Sequence, residues 1–133
     1  MNKLFKIISV GILGLFLTTG VFAKTEVVYI PKNTGNPYFD SIIKGFEVGA
    51  EKYGYNFSTV APATADATSQ LPFIKAEIQR GVDVIAISPN SNDALNTVFD
   101  QARKKGIIIM VVNGDIPGSE AHRDLAIMPV DFS

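Results

Sequence analysis

Short apolar runs alternate along the chain with longer stretches in which apolar residues recur at helical spacing. Val27-Val28-Tyr29-Ile30, between Glu26 and Pro31, is a continuous β-branched and aromatic run, as expected of a strand covered on both faces. From Pro37 to Gly54, Phe39, Ile42, Ile43, Phe46, Ala50 and Tyr53 form an apolar stripe, with Asp40, Lys44, Glu47, Glu51 and Lys52 opposite. This predicts an amphipathic helix ended by Gly54. Tyr55 to Val60 reads as a weaker second strand, and Ala61 to Ala65 as a loop. Ala67, Leu71, Ile74 and Ile78 indicate a second helix running to Arg80 and stopped by Gly81. Pro72 leaves two starts open: a helix from Asp66 kinked at the proline, or one from near Ser69 with the proline in its tolerant first turn.

A third strand follows at Asp83 to Ser88, around Val84-Ile85-Ala86-Ile87, and Pro89 to Asn92 makes the turn after it. The third helix has Asn92 as its expected cap, Asp93 in its first turn, Leu95, Val98, Phe99 and Ala102 on one face, and Arg103-Lys104-Lys105 opposing the negative end of its dipole before Gly106. Ile107 to Val112 is the most hydrophobic strand, and Leu125 to Val130 gives one more short strand. Alternating strands and helices with short links predict an α/β fold, a three-layer, doubly wound, mostly parallel sheet with right-handed crossovers.

In such a sheet the first, third and fourth strands send their loops to one edge, where open α/β sheets bind ligands. Those loops are Lys32 to Asn36, Ser88 to Asn92, and Asn113 to Asp115. The first leads into Pro37-Tyr38-Phe39, so an ammonium, two carboxamides and two aromatics gather where flat apolar faces and directional polar groups suit a small polyhydroxylated molecule. Read by itself, the same stretch is also a strand-to-helix turn with Gly35 for freedom and Pro37 at the first helical position. Asp115 suits a charged acceptor for vicinal hydroxyls, with Asn113 donating and accepting beside it. Phe39 starts the apolar stripe and is partly core, whereas Tyr38 lies off it and is freer to stack on a ligand.

Composition narrows the class. Lys3 and Lys6 precede an apolar core at Ile7 to Leu17, and Val21-Phe22-Ala23 places small residues where a signal peptidase reads them. Residues 1–23 are therefore expected to be a secretory signal peptide, too short in its apolar core to span a bilayer. Its removal leaves residues 24–133 with a formal charge of −3 in place of −1. An acidic exported domain argues against nucleic-acid binding. The chain has no cysteine, so neither a disulfide nor thiolate chemistry is available. His122 is the only histidine, read as a solvated loop residue, and no phosphate-cradling glycine loop is present. No catalytic constellation, metal site or cofactor motif stands out. Asp40 and Asp115 as an acid/base pair have nothing in the sequence to support them.

Together, Gly35-Asn36-Pro37-Tyr38-Phe39, Ile87-Ser88-Pro89-Asn90, Ala102-Arg103-Lys104-Lys105-Gly106 and the polar end of the fourth strand resemble the periplasmic sugar-binding proteins of ABC importers. These are type I periplasmic binding proteins, here in the ribose-, rhamnose- and autoinducer-2-binding group. The similarity runs from Thr25 to about Asp131. It implies that Asn36, Tyr38 and Phe39 clamp a sugar ring, that an acidic residue after the fourth strand binds its hydroxyls, that Lys32 contacts ligand, and that Asn90 lines the cleft. It further implies a non-enzymatic receptor in the periplasm whose partners are a small sugar, such as a pentose, deoxyhexose or autoinducer-2-like molecule, and the membrane permease of an importer. Two departures stand out. Asn113 occupies a position that is often aspartate, leaving Asp115 as the nearby carboxylate, and residues 24–133 match only an incomplete amino-terminal lobe of a two-lobed, hinged protein. The resemblance thus implies a truncated member that does not function alone. Competing readings are the ligand-sensing domain of a repressor or chemoreceptor system, the repressor form being disfavoured by the apolar leader, and a small flavodoxin-like enzyme, which would need a nucleotide loop or nucleophile.

Intact-mass measurement of the exported protein is expected to show Lys24 as its first residue. A mature chain beginning at Met1 would remove the basis for the export assignment.

Overall fold

The computed structural model describes residues 22–91, 93–114 and 118–129. Residues 1–21 of the expected signal peptide, the expected helix cap Asn92, the expected ligand acceptor Asp115 and the end of the chain from Val130 lie outside the described residues. Five strands, β1 (Glu26–Ile30), β2 (Asn56–Thr59), β3 (Val84–Ile87), β4 (Ile108–Val112) and β5 (Leu125–Ile127), form one sheet in the order β2-β1-β3-β4-β5. Every pairing is parallel. Among the described residues, three α-helices link β1 through β4: α1 (Asp40–Tyr53), α2 (Leu71–Arg80) and α3 (Asn96–Lys104). The first crossover moves one way along the sheet and the later ones the other way, which is the doubly wound arrangement expected from the alternation of elements.

The two-residue periodicity of the strands sorts the core into two layers. Val28 and Ile30, Ile85 and Ile87, and Ile109 and Val111 point to one face and pack with Ile74 and Ile78 of α2 and Leu95, Val98, Phe99 and Ala102 of α3. Tyr29, Ala86 and Val112 point to the other, where Phe39 and the partly buried Ile42, Ile43, Phe46, Phe57 and Met110 join them. The rings of Tyr29, Phe46 and Phe57 stack in sequence across this second face, each centroid 5.3 Å from the next. Among the described residues the first layer is closed by two helices and the second by α1, which has no fully buried residue. Tyr53, placed by its spacing on the apolar stripe, is 73% exposed, because the stripe outruns the sheet it covers.

Several element boundaries depart from the sequence pattern for local reasons. The first helix begins as a 3-10 turn over Pro37–Phe39, with Asn36 Oδ1 accepting the Tyr38 N–H, and becomes α-helical only at Asp40. It ends at Gly54 in the left-handed region, φ 74°, as Gly there permits without steric cost. Of the two starts open for the second helix, the later one holds: Asp66 to Ser69 form a turn, and Pro72 sits in the first turn of α2. The third helix starts at Asn96, later than expected, because the Ser91 hydroxyl accepts the Ala94 N–H and holds the preceding residues in a separate turn.

The reading of His122 as a solvated loop residue is corrected. Its Nδ1 lies 2.9 and 3.0 Å from the two carboxylate oxygens of Asp100 on α3. Arg103 does more than oppose a helix dipole: it donates to Asp124 Oδ1 at 3.0 Å and to Ala121 O at 2.7 Å. Asp124 in turn accepts the Ile109 N–H, so the connection leading into β5 is fastened to both α3 and β4.

Phe99 fills the centre of the two-helix layer and is fully buried. Its replacement by alanine should cost about 3 to 5 kcal/mol in chemical denaturation. His122→Ala should cost under about 1 kcal/mol, because its pair with Asp100 is partly exposed and screened. Equal losses for the two variants would contradict this core.

Candidate functional site

At the carboxyl edge of the sheet, the loop after β1 begins at Pro31 and turns at Gly35, whose φ of 70° is accessible to glycine at no steric cost. Thr34 N–H donates to Pro62 O, which pins this loop to the one after β2. Asn36 then folds back on its own turn, so its Oδ1 is engaged by Tyr38 N–H at 3.1 Å while its amide group stays at the edge. Tyr38 is 54% exposed, with its ring edge-on to Phe39. Its hydroxyl donates to Asn113 Oδ1 at 2.6 Å, closing the gap between the first and fourth loops. Asn113 holds a left-handed backbone, φ 54°, which Asn tolerates better than most residues.

The structure thus brings the sequence-derived candidates into two clusters along one edge. Tyr38 and Asn113 make one, with Asn36 beside them. Lys32 and Asn90 make the other, since Asn90 Nδ2 donates to Lys32 O at 2.8 Å and to Ser69 Oγ at 3.2 Å. Asn90 Oδ1 is buried and has no hydrogen-bond partner among the described residues. Phe39 differs from the rest: it is 4% exposed and belongs to the core under α1, so its contribution at this edge is mainly to support Tyr38. Asp115 lies outside the described residues.

Beneath the edge, buried hydroxyls tie the central strands together. Ser88, immediately after β3, donates from Oγ to Val112 O at 2.8 Å and meets the Tyr29 hydroxyl at 2.8 Å. With the Ser88 proton committed to Val112, the Tyr29 hydroxyl is the donor of the second bond. Burial pushes the Tyr29 phenol above its ordinary range; its hydrogen bond with Ser88 opposes that shift, and the neighbouring Tyr38 phenol adds to it. Gln70, also fully buried, bonds to Pro31, Ser88 and Asn90. Neither Ser88 nor Gln70 was singled out by the sequence as a site-supporting residue, because their partners are 18 to 59 positions away.

Shallow cavities flank the Tyr38 turn. One of about 210 Å³ lies between Tyr38, Asn113, Val112 and Met128, and another of about 230 Å³ between Asn36, Phe39, Thr59 and Ala61. The arrangement offers hydrogen-bonding amides, an aromatic face and a lysine along a ledge open to one side. Among the described residues no group of three or more His, Asp or Glu side chains could hold a metal ion. No helix among them is long and apolar enough to cross a membrane.

Comparison with known proteins agrees with this geometry. Residues 27–132 match the model of the periplasmic binding protein domain. The chain is 32% identical to the D-allose-binding periplasmic protein of Escherichia coli over 111 residues, covering 83% of this chain and 36% of that protein. Among solved structures, a solute-binding protein of an ABC transporter from Burkholderia graminis, in complex with D-arabinose, superposes with a TM-score of 0.72 at 32% identity, covering 78% of this chain and 35% of that one. LsrB from Clostridium saccharobutylicum, in complex with AI-2, gives 0.71 at 27% identity, covering 77% and 31%. The chain therefore spans about a third of the length of these relatives. They are binding proteins rather than enzymes. On the match across most of its length, and on the parallel sheet with its loops gathered at one edge, this chain belongs to the periplasmic binding protein family.

Proposed function

We propose that this chain supplies one wall of the sugar-binding cleft of an exported receptor serving an ABC importer. The observation that carries the proposal is the Tyr38–Asn113 bridge between the first and fourth loops, which sets an aromatic ring and two carboxamides on a single ledge. A sugar offers both requirements of such a ledge, an apolar ring face and a belt of hydroxyls. D-allose and D-arabinose in the names of the relatives, and AI-2 beside them, support a small polyhydroxylated ligand. In this reading Tyr38 packs on the ligand, Asn36, Asn113 and Lys32 bond its hydroxyls, Asn90 lines the floor, and Asp115 accepts from a vicinal pair.

The opposite wall belongs to a second lobe. One wall leaves half of a ligand in water, where solvent competes for its hydroxyls, so residues 24–133 by themselves form an incomplete site. The share of the relatives' length that the chain spans supports this division. The permease is engaged by both lobes together, after export to the periplasm through the leader at residues 1–23.

Calorimetric titration with D-ribose, D-allose, D-arabinose and L-rhamnose tests the proposal. In a protein carrying both lobes, Asp115→Ala should weaken the preferred sugar by about 1.5 to 3 kcal/mol, the range for hydrogen bonds to a charged group. Tyr38→Ala should also weaken it, while His122→Ala should leave it unchanged. Asp115→Ala binding as tightly as the parent would refute the cleft assignment. The polypeptide of residues 24–133 should bind more weakly than micromolar; tighter binding by it would overturn the division into two walls.

A further inference from the structure

Gln70 stands immediately before α2 and is fully buried, a rare setting for a long amide side chain. Its side-chain bonds run to the loops leaving β1 and β3. Nε2 donates to Pro31 O at 3.0 Å and to Ser88 O at 2.8 Å, and Oε1 accepts the Asn90 N–H at 2.9 Å. Both amide protons and one acceptor position are thereby used.

The place of these bonds is informative. The β1–β3 ladder has its last residue pair at Ile30 and Ile87, and Ser88 N–H donates back to Ile30 O. Pro31 has no N–H with which to continue the ladder toward its neighbour. Beyond that point the Gln70 amide takes over, bonding the carbonyl of Pro31 on one side and that of Ser88 on the other, as a short piece of strand would. Asn90, held by Gln70 through its backbone, carries the link on to Lys32 O. An apolar side chain of the same length would fill the space equally well. What the amide adds is direction, and the direction is toward the two loops that bear Lys32, Asn36 and Tyr38 on one side and Asn90 on the other.

We propose that Gln70 is a positioning residue for the ligand site: without contacting ligand, it fixes the loop after β1 relative to the loop after β3. This rests on the sugar-binding reading for its functional meaning, while its structural part is independently measurable.

The test uses amide hydrogen exchange, expressed as protection factors, together with binding of D-ribose, D-allose and D-arabinose, in the full-length protein and in Gln70→Met. Protection should fall about tenfold or more at Thr34 and Tyr38, as well as at Asn90, with Val28, Ile85 and Ile109 unchanged, and the dissociation constant for the preferred sugar should rise about tenfold or more. A fall confined to Asn90, or one spread equally over the strand amides, would overturn the proposal by making Gln70 a local partner or ordinary packing. Loosened loops with unaltered sugar binding would overturn its functional part. If the parent binds none of the sugars, the sugar reading fails and the exchange pattern still decides whether Gln70 fixes the loops. Should Gln70→Met not fold, Gln70→Glu serves: it keeps an acceptor for Asn90 but loses both donors while ionised. Protection at Thr34 and Tyr38 should then recover as the carboxyl is protonated and regains a donor, and no recovery would count against the proposal.

Discussion

The hydroxyl of Ser88 is the point on which the carboxyl edge depends. It is fully buried beneath the loops and joins Tyr29 on β1 to the last carbonyl of β4. A buried hydroxyl left unpaired costs on the order of 1 to 3 kcal/mol, so this group of three is stable only with all its members in place. That condition fixes the ends of the three central strands at one level. The loops that follow therefore start from a common height, and Tyr38 can reach Asn113 across a separation of 75 positions in the chain. The parallel ladders set the register below, and the hydroxyls carry it past the last paired residues.

The two faces of the sheet are unequally covered, and this shapes the rest of the molecule. Under α2 and α3 the strand side chains are enclosed, and Phe99, Ile74 and Leu95 are fully buried. Under α1 the aromatic stack of Tyr29, Phe46 and Phe57 does much of the covering, and beyond it Ile127 remains 52% exposed. The Tyr38 turn stands at the carboxyl end of this more open face. Its aromatic ring is thus carried by Phe39 below and by Asn113 at its tip.

The sequence revealed most where periodicity or an unbroken apolar run governs. Val27 to Ile30, Val84 to Ile87 and Ile108 to Val112 are strands because little else accommodates such runs between polar punctuation, and their alternation into two layers follows from the pleat. The loops at the shared edge were equally legible, since topology alone sends them there. Features that depend on distant partners were not. His122 has a polar, loop-like context in the chain, yet Asp100 lies beside it in space. Ser91 replaces a helix start with a turn through one hydroxyl. Gln70 looks like a solvent-facing polar residue at a helix entrance, and only the fold shows that the carbonyls it serves lie 39 and 18 positions away. Phe39 sits between the two classes: its spacing marks it as core, while its neighbour Tyr38 faces the edge.

The bond between Tyr38 and Asn113 also has an optical consequence. The chain contains no tryptophan and four tyrosines, so its near-ultraviolet absorption and intrinsic emission come chiefly from phenol rings. Tyr29 is sealed beneath the sheet edge, whereas Tyr38 has its hydroxyl on the Asn113 amide and its ring half in water. A phenol's spectrum responds to the acceptor its hydroxyl meets. Any rearrangement that parts the first loop from the fourth would therefore be written into the tyrosine spectrum, giving the edge a built-in chromophore that needs no attached label.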